Sequence, residues 1–176
     1  MSGAREFVQR LEALQEGERS RLRRCAGTPL HETVAGFDLF TGLWWPLRET
    51  NAAAPRREPS WLVAKLHASF DVPHIDGGPR LPAVLGAREP AEARAAKRFR
   101  DRFDALLQTP PVILEPPLRW TLSAVAEAVE AKAISGLDWV QLLDDLSIWD
   151  QGATHRVGRD IREIWAEAYL KEGRAC

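Results

Sequence analysis

Apolar residues recur along this chain at intervals of three and four, the spacing of one helix face, and no stretch alternates convincingly as a strand would. The spacing predicts a first helix over residues 5–15, with Phe7, Leu11 and Leu14 at i, i+4 and i+7. Gly17 breaks it, and residues 17–24 start a short second helix with Leu22 and Cys25 turned inward. A third helical stretch covers residues 31–43, entered through Thr28-Pro29 and ending near Trp44-Trp45-Pro46. Residues 50–59, rich in alanine, proline and arginine, read as a loop. Ser60 then caps a helix over residues 61–70, with Leu62, Leu66 and Phe70 on one face.

Residues 71–90 are punctuated by Pro73, Gly77-Gly78-Pro79, Pro82, Gly86 and Pro90. So many breakers predict an irregular, mobile segment and a domain boundary. Pro90 suits a first helical turn, and residues 91–107 form an amphipathic helix whose apolar stripe is Ala95-Ala96, Phe99, Phe103 and Leu106-Leu107. After breaks at Pro110-Pro111 and Pro116-Pro117 comes a long helix to about residue 133, carrying Leu118, Leu122, Val125 and Val129 inward. Asp138 caps a helix over residues 139–149, and the last helix covers 154–171 with Val157, Ile161, Ile164-Trp165 and Ala168 as its core face. The pattern is all-α, two packed helical bundles, one in residues 1–88 and one in 89–176.

Composition removes several function classes. At 176 residues and 45% hydrophobic content the chain can bury a good core, and no apolar run approaches the roughly 20 residues of a membrane span. Arg5 and Glu6 stand where a signal peptide needs apolar residues, so a cytoplasmic location is expected. Cys25 and the terminal Cys176 make a poor structural bridge, and four scattered histidines without a Cys-x-x-Cys leave no zinc pattern. No cofactor, metal or catalytic residue is expected. His74-x-Asp76 lacks a nucleophile motif beside it, phosphate-loop patterns are missing, and Asp144-Asp145 and Asp150 read as a solvated acidic face.

Charge changes the picture more. The net charge is −1, yet Gly17–Arg24 holds four arginines in eight positions, and 20 arginines stand against four lysines in the whole chain. Polyanions respond to the local field rather than the sum. A second basic stripe, Arg94, Arg98 and Arg102 at i, i+4 and i+8 with Lys97 beside it, lies opposite the apolar face of its helix. These charges support two readings: solvated arginines paired with Glu16, Glu18, Asp101 or Asp104, or a track along a nucleic-acid backbone. Of seven tryptophans, Trp139 and Trp165 fall on core faces, Trp44-Trp45 and Trp61 lie near loops, and Trp120, next to Arg119 and off its helix's apolar stripe, is best placed to stack on a base.

The order of segments resembles the CasB family, the small subunit of the type I-E CRISPR surveillance complex called Cascade. Three blocks carry the resemblance: Gly17–Arg24 with Leu22-Arg23-Arg24 in register; Lys97-Arg98-Phe99 leading to Leu106-Leu107 and then Leu118-Arg119; and Leu137-Asp138-Trp139 through Leu142-Leu143, Asp145-Leu146 and Trp149-Asp150 to Trp165-Ala166 and Tyr169. The resemblance implies a non-catalytic, all-helical protein that works with other Cascade subunits, guide RNA, target DNA and a second copy of itself. It would help hold the guide–target heteroduplex and the displaced strand in an open R-loop. Candidate backbone contacts are Arg19, Arg23, Arg24, Arg94, Lys97, Arg98, Arg102 and Arg119, of which Arg23, Arg24, Arg98 and Arg119 stand in matched motif positions. Family members are often basic, whereas residues 89–176 carry 12 basic and 15 acidic side chains, so the grip is expected to work within an assembly. A helical protein–protein adaptor, using the acid around Asp144-Asp145 and the apolar residues near Trp44-Trp45, is the alternative. A helix-turn-helix repressor lacks a convincing recognition helix. The track reading expects the two basic faces to join.

Overall fold

The computed structural model describes residues 2–34, 36–50, 54–152 and 158–173. These residues form α1 (Gly3–Glu12), α2 (Glu16–Arg24), α3 (Phe37–Thr50), α4 (Arg57–Ser69), α5 (Leu81–Ala87), α6 (Ala93–Leu107), α7 (Glu115–Glu130), α8 (Trp139–Ser147) and α9 (Ile161–Gly173). One-turn 3₁₀ segments at Leu30–Glu32 and Pro111–Ile113 complete the helices. The sole pairing of extended backbone among the described residues is an isolated parallel bridge between His74 and Leu137, so the fold is all-α as the periodicity predicts.

At the centre lies α4. Ser60, Trp61, Val63, Ala64, Lys65, Leu66, His67 and Ala68 are all buried, and the helix packs on α1, α2, α3, α7 and α8. A helix covered nearly all round has no single apolar stripe, so the expected Leu62/Leu66/Phe70 face gives way: Leu62 and Phe70 are half-buried. Its start also differs. The helix begins at Arg57 instead of Trp61, and Ser60 donates its hydroxyl to the Arg56 carbonyl at 2.8 Å rather than capping the amino end.

Helix α3 runs through Pro46, where the pattern predicts an end. A proline inside a helix costs about 3 kcal/mol. Burial of Phe40, Leu43 and Leu47 on either side offsets it. Pro116 and Pro117 likewise lie within the first turn of α7 rather than ahead of it, where the missing amide protons would have had no intrahelical partner.

The largest departure lies in residues 71–90, expected to be irregular and mobile. They contain the buried helix α5, with Pro82 in its first turn, packed on α7 and α9. Gly86 makes that packing possible: a Cβ there would collide with the Tyr169 backbone carbonyl. The last helix begins at Ile161 rather than 154. Thr154 and Val157, along with Cys176, fall outside the described residues.

Asp144-Asp145, expected as a solvated acidic face, is split. Asp144 is exposed, whereas Asp145 is 3% exposed and accepts from Arg80 Nη2 at both carboxylate oxygens (2.7 and 2.9 Å), Trp165 Nε1 (2.7 Å) and Gln141 Nε2 (2.8 Å). Burial pushes the carboxyl of Asp145 up, against the downward pull of Arg80 and these hydrogen bonds. The network ties α8 to α9 and to the residue preceding α5. Trp139, Trp149 and Trp165 are fully buried, as the inward positions of their helical stretches predict.

Candidate functional site

The octet begins at a capping box: the Gln15 amide donates to Glu18 Oε2 at 2.8 Å, so Glu18 serves its own helix rather than a neighbouring arginine. The four arginines then separate by helical phase. Arg19 turns back on α1, donating from Nε to the Leu14 carbonyl (3.3 Å) and from Nη2 to the Glu12 carbonyl (3.0 Å). Arg23 reaches across to α4, donating to the Ala68 carbonyl at 3.3 Å, and pairs with Glu16. Both therefore satisfy carbonyls at helix C-terminal ends, where positive charge is favourable.

Arg21 and Arg24 face elsewhere. With Cys25, Thr28 and Thr33 they line an open groove of about 380 Å³. The turn forming its edge needs a glycine: Gly27 has φ +74° and donates its amide to Glu115 Oε1 at 2.8 Å. Glu115 pairs with Lys65 inside the protein, and Lys65 Nζ and Trp61 Nε1 each donate to the Thr28 carbonyl at 3.0 Å. The sequence pattern did not point to this pair. A lysine in the apolar-rich run Trp61–Ala68 is the signal that could have found it, since a buried lysine requires a carboxylate.

The second basic stripe sits on α6. Arg94, Lys97, Arg98 and Arg102 are exposed, and Ala96, Phe103 and Leu106 are buried on the opposite side, as predicted. Lys97 pairs with Asp101 at 2.6 Å, while among the described residues no ion pair engages Arg24, Arg94, Arg98 or Arg102. Asp104 instead accepts from Gln108 at 2.7 Å.

Between the octet and this stripe lies Arg119 of α7. It donates to Ser69 Oγ at 3.2 Å, stands over the Phe70 ring at 5.4 Å, and is 4.0 Å from Glu115. Arg23 and Arg119 thus engage consecutive residues, Ala68 and Ser69, at the end of α4. The next residue on α7, Trp120, carries the Arg102 guanidinium over its ring at 4.5 Å and meets Phe99 edge-on at 5.1 Å. Arg23 and Arg119 are therefore both tied to the end of α4, and Arg102 of α6 rests on Trp120; Arg119 and Trp120 are consecutive on α7 but do not share a helix face.

The other candidates have structural duties. His74 Nδ1 accepts from the Trp139 amide at 3.3 Å while Nε2 contacts Asp76 at 3.2 Å, so the His-x-Asp pair helps hold the start of α8. His67 packs edge-on against Trp139 at 5.1 Å, and burial, with Arg19 and His74 nearby, lowers its pKa to about 4. Among the described residues no group of three His, Cys, Asp or Glu side chains could hold a metal, and no helix is long and apolar enough to cross a membrane. For the adaptor alternative, Asp145 is withdrawn into the core and Trp44 donates to the Pro55 carbonyl at 2.8 Å, leaving Trp45, 50% exposed, on the surface.

Residues 18–170 match the family model of the CRISPR-associated protein Cse2, a span that includes every candidate cation. No curated protein matches the chain. Among solved structures, CasB from M. ruber is similar at 23% identity and TM-score 0.72, covering 99% of this chain and 96% of that one. A CRISPR-associated protein of the Cse2 family from Thermus thermophilus is 24% identical, with TM-score 0.68 and coverage of 97% and 99%. A structure of CasB from the same organism gives 24%, 0.69, 97% and 99%.

Proposed function

Because the chain belongs to the CRISPR-associated Cse2 family, the small subunits of Cascade, we propose that it serves antiviral defence as a non-catalytic Cascade subunit that steadies an R-loop through sequence-independent backbone contacts. The observation that supports this reading is that consecutive residues of α7 engage both basic regions: Arg119 meets the end of α4 where Arg23 is also bound, and Trp120 meets Arg102 of α6. R-loop formation exchanges one duplex for another of similar stability, so a few phosphate contacts can tip it. Arg24, Arg94, Arg98, Arg102 and Arg119 are the main grips. Arg119, although near Glu115, joins the others through its outer face, while Arg19, Arg23 and Lys97, hydrogen-bonded to carbonyls or to Asp101, shape the field around them. The displaced strand and the guide–target heteroduplex are the nucleic-acid partners, with other Cascade subunits and a second copy as protein partners.

The two-bundle organisation, divided near residue 88, fits this role with two exchanges. Helix α5 packs with the C-terminal helices and α8 with α1 and α4, so each bundle lends the other a helix. A joint of this kind keeps the two basic regions at a fixed separation.

The test is target binding by reconstituted Cascade carrying Arg24→Ala/Arg98→Ala, measured over a salt series. We expect weaker R-loop formation, unchanged guide binding, and a salt slope shallower by about 2, one for each phosphate no longer gripped. Equal target affinity of mutant and parent complexes at every salt concentration overturns the proposal.

A further inference from the structure

We infer that Trp120 is a positioning residue that holds Arg102 ready for a phosphate, rather than a platform on which a base stacks. This inference rests on the proposed function above. The Arg102 guanidinium lies over the indole at 4.5 Å, so the ring face that a base would need is already taken. Trp120 is half-buried and fixed edge-on by Phe99 of α6, the helix that carries Arg102. No ion pair competes for Arg102 among the described residues, and the two acids beside it in the sequence of α6, Asp101 and Asp104, accept from Lys97 and Gln108. A long exposed side chain normally loses much rotamer freedom on gripping a ligand. Attraction between the guanidinium and the ring restricts Arg102 beforehand and leaves its N–H groups free for phosphate oxygens.

The neighbouring residue repeats the arrangement. Arg119 stands over the Phe70 ring and is held by Ser69 Oγ. Positions 119 and 120 of α7 thus contribute one restrained arginine and the restraint on another.

A double-mutant cycle in reconstituted Cascade tests the inference, with affinity for a guide-matched target DNA as the readout. We expect Arg102→Ala and Trp120→Leu each to weaken binding roughly two- to fivefold, the range of an exposed cation–π contact. The double variant should be no weaker than either single one. Trp120→Phe, which keeps a ring face, should retain most of the affinity, and it supplies the cycle if the leucine variant does not fold. Phe103→Leu is the packing control: it loosens α6 against Tyr169 without touching the indole, and should lower the melting temperature while leaving affinity unchanged.

If Arg102→Ala has no effect, the backbone track itself fails at this position and the inference falls with it. If Arg102→Ala weakens binding but Trp120→Leu does not, the track stands and the positioning role is overturned. Additive losses in the double variant, or an affinity loss in Phe103→Leu equal to that in Trp120→Leu, also overturn it. The first would mean that Trp120 meets the nucleic acid independently, the second that it acts only through packing.

Discussion

Helices α2 and α6 are both arginine-rich, and they use their arginines differently. On α2, Arg19 and Arg23 are spent on the carbonyls that end α1 and α4, so half of the densest basic segment holds helices together. On α6, whose opposite face supplies the packing, Arg94 and Arg98 make no ion pair among the described residues, Arg102 rests on Trp120, and Arg100 is tied to Glu89. Local charge density is therefore a poor guide to available charge. What decides is whether a helix end with unpaired carbonyls lies within reach.

The largest effect that could break this comparison is expected away from both helices, at the arginine most fully committed to structure. Asp145→Ala leaves Arg80 facing a cavity without its carboxylate and frees Trp165 Nε1, and should cost about 3–5 kcal/mol in chemical denaturation. A loss below about 1 kcal/mol would mean that the buried network is incidental.

Next is a pH effect at His67, whose neutral ring is buried beside Arg19. Its folded pKa of about 4 lies below the ordinary 6.5, so the unfolded chain takes up a proton that the folded chain refuses. The stability this group contributes is present above pH 6.5 and is lost as pH falls toward 4, an upper bound of about 3 kcal/mol. The stability of the parent relative to His67→Phe should be constant above about pH 6.5 and fall by up to about 3 kcal/mol as pH is lowered to about 4, since only the parent takes up a proton on unfolding. Parallel curves would contradict it.

Smaller still, Arg19→Ala and Arg23→Ala should each cost about 1 kcal/mol by removing hydrogen bonds to helix-end carbonyls. Arg94→Ala/Arg98→Ala should change stability by no more than about 0.5 kcal/mol. Should α6 prove the more sensitive of the two helices in thermal unfolding, the contrast drawn between them is wrong.

These differences also mark what could be read without coordinates. Helices with one apolar face were legible: the stripe of α6, Leu118, Leu122 and Val125 of α7 (Ala128 rather than Val129 completes that face), and the Asp138 cap of α8, which accepts from the Gln141 amide at 2.9 Å. Elements buried on several sides were not. In α4 the core positions fill the whole circumference, and α5 is short, opens with proline and contains a glycine, so each carries the local marks of something else. The same physics limits the candidate site. The arginines were recognisable as residue types, but their division into helix caps and open cations depends on which helix ends lie opposite, and periodicity carries no such information. Asp145 looked like half of a surface pair because its partners, Arg80 and Trp165, are 65 and 20 positions away.

Gly86 carries a consequence for how two helices are spaced. With no side chain there, the backbones of α5 and α9 meet directly, leaving no compliant layer between them. The residue just before α5 is clamped to α8 through Arg80 and Asp145, and α8 rests on α1 and α4. Main chain and a half-buried ion pair therefore fix how α5 sits between α9 and α8. The spacing of α5 and α9 is set by the absence of a methyl group, and Gly86→Ala would push these two helices apart without changing any charge.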